Sequence, residues 1–200
     1  MIGCHELKYF YTTAPRTGTA SVCQFLRKQY KGKSIARWHR TIIPEEYRSY
    51  FRFMTIRDPY QRLVSLWWWC HAHKKDPRKP EDRNKDKSFG GFLEWLIPNQ
   101  YRKLYDEECM IWSNQSTFYD CANIQHHMML ADIDNEVHKL PFANPDKHNE
   151  TVPRHPHRTD LERQAWQSYY NKRTERLAYA HSGPDFDRFG FKRERFRVNG

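Results

Sequence analysis

With 200 residues, 34 Lys and Arg against 24 Asp and Glu, and a formal charge of +10, the chain has the size of one domain with a continuous core and the charge of a protein that meets an anion. Hydrophobic residues at 38% and aromatics at 16% supply enough apolar area to exclude a disordered chain. No apolar run approaches the roughly 20 residues that span a bilayer, Met1 to Lys8 is too polar and short for a leader, and the odd count of 5 cysteines without a Cys-x-x-Cys pair excludes a full disulfide framework. Reduced thiols are the expectation, with one bridge such as Cys109 to Cys121 left open.

Residues 7–12 read as an apolar strand, followed by the turn Thr13-Ala14-Pro15-Arg16-Thr17-Gly18 and a helix from Thr19 to about Tyr30, with Val22, Phe25 and Leu26 on its apolar side. The short turn residues let N–H groups at the helix start converge on a phosphate, where the helix dipole favours negative charge. Arg16 adds a cation that can fork onto two oxygens. The Gly-x-x-x-x-Gly-Lys-Ser/Thr spacing of ATP-binding loops is absent.

A short strand at Ser34 to Trp38 and a helical turn around Pro44 to Tyr50 flank a loop that carries His39. Phe51 to Ile56 reads as a buried strand that runs into Arg57-Asp58-Pro59, with Asp58 as helix cap and Pro59 as the first residue of a helix to about Ala72. Asp58, Arg62 and Ser65 fall at i, i+4 and i+7 and share a face, so Arg57 and Ser65 converge where the strand exits. Two strands joined by a helix make a parallel arrangement that sets both phosphate elements at one sheet edge.

Residues 73–88 form a charged, proline-broken surface loop, expected to be mobile. Ser88 caps an amphipathic helix through Ile97, residues 99–121 fit no single pattern, and Asp132 to Leu140 reads as a helix. Thr159-Asp160-Leu161-Glu162 opens a long helix to about His181, stopped by Ser182-Gly183-Pro184, and residues 192–200 are a basic tail. His126-His127 and His155-Pro156-His157 have no acidic or cysteine partner at a helical offset, so no metal site is expected. Trp67-Trp68-Trp69 reads as core and groove wall, Asn114-Gln115-Ser116 as a glycosylation sequon without meaning in a cytosolic protein.

Pro15-Arg16-Thr17-Gly18-Thr19-Ala20-Ser21 and Arg57-Asp58-Pro59-Tyr60-Gln61-Arg62-Leu63-Val64-Ser65 together resemble the signatures of sulfotransferases that use 3′-phosphoadenosine 5′-phosphosulfate, PAPS. The Phe51-x-Phe53 strand before Arg57, and Asp185-Phe186-Asp187-Arg188-Phe189-Gly190-Phe191 near the end, are similar to the carbohydrate-type, Golgi-like branch; residues from about 70 to 151 match it only loosely. The resemblance implies an α/β fold: one P-loop-like domain over residues 1–200, with a central parallel sheet flanked by helices. It implies transfer of a sulfuryl group from PAPS to an acceptor hydroxyl, on a glycan by preference, leaving the product nucleotide PAP and requiring no metal. Eukaryotic members of that branch carry an N-terminal anchor; this chain shows none, which leaves a cytoplasmic protein or one trimmed of its anchor.

Within the resemblance, Arg16 stabilises the leaving group, Thr17, Gly18, Thr19, Ala20 and Ser21 hold the 5′-phosphate, and Arg57 and Ser65 hold the 3′-phosphate. His39 stands between the two elements, where related enzymes often carry a catalytic histidine, and imidazole suits a general base near neutral pH. Glu45 and Glu46 are the alternative bases, and Asn144 and Lys147 resemble a segment near the nucleotide. The competing reading is a non-catalytic protein that uses the same fold and charge for nucleic acid or another polyanion, although nucleic acid is not the expected partner. A nucleotide kinase is disfavoured by the missing lysine loop.

Overall fold

The computed structural model describes residues 1–35, 39, 41–72, 87–101, 111–147, 149–154, 165–194 and 196. A five-stranded sheet in the order β3-β1-β2-β4-β5 forms from β1 (Ile2–Cys4), β2 (Tyr9–Tyr11), β3 (Lys33–Ser34), β4 (Phe51–Ile56) and β5 (His126–Met129). Its core is parallel: Tyr9 pairs with Phe51 and Tyr11 with Phe53, then Phe53 with His126 and Ile56 with Met129. The edge is antiparallel, because β1 turns back on β2 and β3 pairs with β1.

Helices cover both faces, as an α/β fold requires. On one face α1 (Thr19–Gln29) buries Val22, Phe25 and Leu26 against Tyr9, Tyr11, Phe53 and Met128. On the other, Ala14, Met54 and Ile56 pack under Phe118 and Ala122 of the α4 region (Gln115–Cys121). A helical layer joins α2 (Pro59–Ala72), α3 (Phe89–Asn99) and α6 (Lys172–Phe189) through Leu63, Leu66, Phe92, Leu96, Ala178 and Phe186. A short α5 (Ile133–Glu136) lies between two 3-10 turns.

Several local expectations are corrected. The polar-looking start contains β1, all of it buried, and Gly3 permits that hairpin because a Cβ there would lie 2.2 Å from Ile35 and 2.4 Å from Tyr47. The His126-His127 pair opens β5, a strand that no local signal predicts. Of the strand expected at Ser34 to Trp38, Ser34 pairs in β3 (Lys33–Ser34), and residues 36–38 lie outside the described residues. The expected helix from Asp132 to Leu140 is broken into a single α turn and flanking 3-10 turns.

The largest correction concerns the last helix. It begins at Lys172, where Asn171 and Thr174 form a reciprocal capping box, and it runs through Ser182-Gly183-Pro184 to Phe189, with Gly190 closing it in a left-handed conformation. A mid-helix proline is disfavoured by roughly 3 kcal/mol. Burial of His181, Ser182, Gly183, Asp185 and Phe186 on the same stretch outweighs that local preference. Residues 155–164, with Thr159 and Glu162, lie outside the described residues, as do 73–86 of the charged loop, Cys109, and residues 195 and 197–200 of the tail. Cys4, Cys23, Cys70 and Cys121 are free thiols, and among the described residues no helix is long and apolar enough to cross a membrane.

Candidate functional site

The parallel pairing brings the carboxyl ends of β2 and β4 to one edge, and each strand exits there into a loop followed by a helix. Beyond β2 the chain is held by buried hydroxyls. Thr13 Oγ1 lies 2.6 Å from Thr17 Oγ1 and 2.7 Å from the Thr55 carbonyl, and Thr17 Oγ1 lies 2.7 Å from the Ala14 carbonyl. Thr17 is fully buried, so its hydroxyl closes the loop from inside and its backbone is what can face a ligand.

Arg16 at φ 71° and Gly18 at φ 82° are both left-handed, an alternation that turns successive N–H groups toward one point. Gly18 also fits against Leu130, whose Cδ1 would be 2.4 Å from any Cβ at that position. As the cap of α1 it provides no side-chain acceptor, and the first turn has no acid. Thr19 Oγ1 is buried there without a hydrogen-bond partner among the described residues. The start of α1 therefore leaves N–H and O–H donors without protein acceptors among the described residues.

Beyond β4, Asp58 Oδ1 accepts from Gln61 N at 3.0 Å and Pro59 begins α2. The Arg57 guanidinium reaches back across the edge, Nη1 donating to the Arg16 carbonyl at 3.4 Å. Arg16 Nε in turn donates to Ser65 Oγ at 3.1 Å, on a serine that is 1% exposed. Arg16, Arg57 and Ser65 are thus brought together, with Thr19 and the α1 N-terminus adjoining through the same loop. Between the two loops lies Arg62, fully buried, with Nε on the Pro15 carbonyl at 3.1 Å and Nη2 on the Ser113 carbonyl at 2.8 Å. Burial pulls its pKa down to about 10, against the pull of Asp185, so it stays a cation.

His39 is held over this edge in a left-handed backbone conformation, φ 68°. Its Nδ1 lies 2.9 Å from the Thr13 carbonyl. A carbonyl only accepts, so Nδ1 carries the proton and Nε2 the lone pair. Burial lowers the His39 pKa to about 4, with the Thr13 hydrogen bond opposing and the amino terminus, Arg62 and Arg16 adding to the fall. The ring is neutral at physiological pH.

Other expected residues lie elsewhere. Glu45 and Glu46 are exposed on a 3-10 turn, Glu45 is paired with Arg48, and no described contact links either to Arg16, Arg57 or His39. Lys147 donates to the Gln29 carbonyl and covers the Tyr30 ring, while Asn144 Oδ1 accepts from Asp146 N. That places this loop at the C-terminal end of α1, about 16 Å from the helix's N-terminus by helix rise. The tryptophan run packs on Tyr169, Phe89 and Trp112. Among the described residues no group of three His, Cys, Asp or Glu could hold a metal ion.

Two residues of the site have no counterpart among the expected ones. Gln115 and Asp185 are both fully buried behind Arg57. Asp185 was visible only as a member of the Asp-Phe-x-x-Phe-Gly ending, and Gln115 only as the middle of a sequon. Asn114 of that sequon is 3% exposed, its Oδ1 capping α4 at Thr117 N and its Nδ2 donating to the His181 carbonyl, so it is a structural residue.

The parallel core thus delivers two arginine-bearing loops and the start of α1 to one sheet edge, where ligands of open α/β sheets sit. The family model described as "Sulfotransferase family" matches residues 4–192, which include both loops, His39 and α6. The chain belongs to the sulfotransferase family, and sulfuryl transfer is its general class of reaction. No curated protein and no solved structure matches it.

Proposed function

We propose that this protein moves the sulfuryl group of PAPS to a hydroxyl of an acceptor, with a carbohydrate as the acceptor class. The observation that carries the reading is the meeting of the two loops: Arg57 touches the Arg16 backbone while Arg16 touches Ser65. The residues present fit such a donor, because the orphaned Thr19 hydroxyl and uncapped α1 start suit one phosphate and the Arg57–Ser65 corner suits another. When bound, PAPS supplies the sulfuryl group and departs as PAP.

In this reading Arg57 and Ser65 hold the 3′-phosphate, the backbone from Thr17 to Ser21 and the Thr19 hydroxyl hold the 5′-phosphate, and Arg16 stabilises negative charge developing on the leaving oxygen. His39 takes the acceptor's proton on Nε2, and the resulting imidazolium is steadied by the Thr13 carbonyl at Nδ1. Fixed cations do the neutralising, so the step needs no metal. The carbohydrate acceptor is supported by the Phe51-x-Phe53 strand and the Asp185 to Phe191 ending. We place the protein in the cytoplasm as one domain over residues 1–200.

The test is thermal unfolding with PAP, followed by labelled PAPS against glycans, small alcohols and tyrosine peptides. PAP at 100 times its dissociation constant is expected to add about 2.7 kcal/mol of stability. No shift with PAP, together with salt-sensitive DNA binding, would overturn the reading in favour of a polyanion-binding protein.

A further inference from the structure

Arg57 lies one residue beyond the sheet, since Ile56 and Met129 are the last pair of β4 and β5. The main chain there has lost its strand partner, and a side chain replaces it. Gln115 Oε1 accepts from Arg57 N at 2.8 Å, and Gln115 Nε2 donates to Arg57 O at 2.9 Å. One amide therefore satisfies both backbone groups of the residue whose guanidinium faces the ligand edge.

The amide is itself fixed from behind. Asp185 Oδ2 accepts from Gln115 N at 3.0 Å and Gln115 Nε2 at 3.2 Å, while Oδ1 accepts from Ser116 N at 2.7 Å. A carboxyl group that accepts from three N–H groups at the start of α4 cannot move without losing all three. Arg62, whose charge Asp185 acts upon, holds the Pro15 carbonyl with Nε and the Ser113 carbonyl with Nη2. A buried chain of contacts thus runs from Pro15 in the first loop through Arg62 and the Ser113–Gln115 segment to Arg57 in the second. Arg62, Gln115 and Asp185 are fully buried.

We propose that Gln115 and Asp185 are positioning residues that set the separation of the two arginine-bearing loops and thereby select a nucleotide carrying phosphates at both its 3′ and 5′ positions. The inference rests on the reading that Arg57 meets the 3′-phosphate, and it adds the device that makes this contact selective. A single-phosphate nucleotide needs only the α1 start and is indifferent to where Arg57 stands.

The probes are PAP and adenosine 5′-phosphate, titrated by calorimetry against the full chain and its Gln115→Met variant, which keeps the side-chain volume and removes both amide contacts. By analogy with partners behind metal ligands, PAP affinity is expected to fall by about 10-fold or more, with adenosine 5′-phosphate affinity changed less than about twofold. Asp185→Asn is expected to shift the same ratio by less, since the Gln115 amide itself remains. An unchanged ratio in Gln115→Met, or an equal loss for both nucleotides, overturns the inference and leaves the proposed function standing. A wild-type protein that does not prefer PAP overturns the proposed function itself. If Gln115→Met is insoluble, the ratio is read in Gln115→Asn, which keeps an amide but shortens its reach and is expected to show the same selective loss.

Discussion

From Thr13 to Ser21 the turn closes on itself through Thr17 on Ala14 and Thr13 on Thr17, and is tied to the rest of the molecule through Thr13 on Thr55 and Pro15 on Arg62. Arg57 is held by Gln115, 58 residues away, which is held by Asp185, a further 70 residues along. Both loops present an arginine at the same sheet edge. The first has hydrogen bonds inside its own turn, whereas both backbone groups of Arg57 are held by a side chain distant in sequence.

That contrast is broken most severely by the residue that serves both loops. His39 hangs on the Thr13 carbonyl and feels the charges of Arg62 and Arg16. As the proposed base it contributes about 10² to 10⁴ to turnover. His39→Ala is expected to lower kcat by that range with PAP affinity within a few-fold of wild type. Normal turnover would place the base elsewhere, although Glu45 and Glu46 stand exposed on a different turn.

Arg57→Ala sharpens the comparison from the second loop. Loss of a charge-assisted contact to a phosphate, at about 1.5 to 3 kcal/mol, corresponds to roughly 10- to 100-fold in PAP affinity. Calorimetry is expected to show that loss for PAP and little change for adenosine 5′-phosphate. Equal weakening of both would mean that the two loops grip one phosphate together.

Gly18→Ala probes the first loop by stability instead of affinity. A left-handed alanine and a Cβ 2.4 Å from Leu130 Cδ1 are expected to lower unfolding free energy by about 1 to 3 kcal/mol, read from denaturant midpoints. The leucine is a flexible side chain and can yield, which keeps the effect below that of a backbone clash.

The same contrast explains how much was legible in the residues. β2, α1, β4 and α2 follow from apolar periodicity, Asp58, Pro59 and Gly18, all local signals, and they set the first loop and half of the second. β5 escaped because His126-His127-Met128-Met129 has neither β-branched residues nor clean alternation, and its pairing with β4 is decided only in three dimensions. Pro184 looked like a stop because propensity is local, whereas the burial of Asp185 and Phe186 is not. Gln115 is the clearest case: an amide pairing with the backbone of Arg57 leaves no trace in spacing.

Two histidines, the part-buried His39 and the buried His181, give the finest comparison. His39 and His181 are both lowered to about 4, chiefly by burial. His181 is held by the Trp112 carbonyl at Nε2 and Ser182 Oγ at Nδ1, with Arg62 pushing its pKa down and Asp185 pulling it up. A folded pKa below the unfolded value near 6.5 means that the unfolded chain binds more protons in acid. Stability from both rings is therefore complete above about pH 6.5 and is lost as pH falls toward 4. Melting temperatures are expected to be level from pH 8 to 7 and to drop across that acid window. Anionic PAP at the Arg16 loop would offset the cationic part of the His39 shift, so imidazole NMR titration is expected to show the His39 pKa rising when PAP is added. His181, buried behind the Arg57 loop with Asp185 already beside it, is expected to stay where it is. A PAP-induced rise at His181 and none at His39 would reverse the assignment of which loop meets the reacting end of the nucleotide.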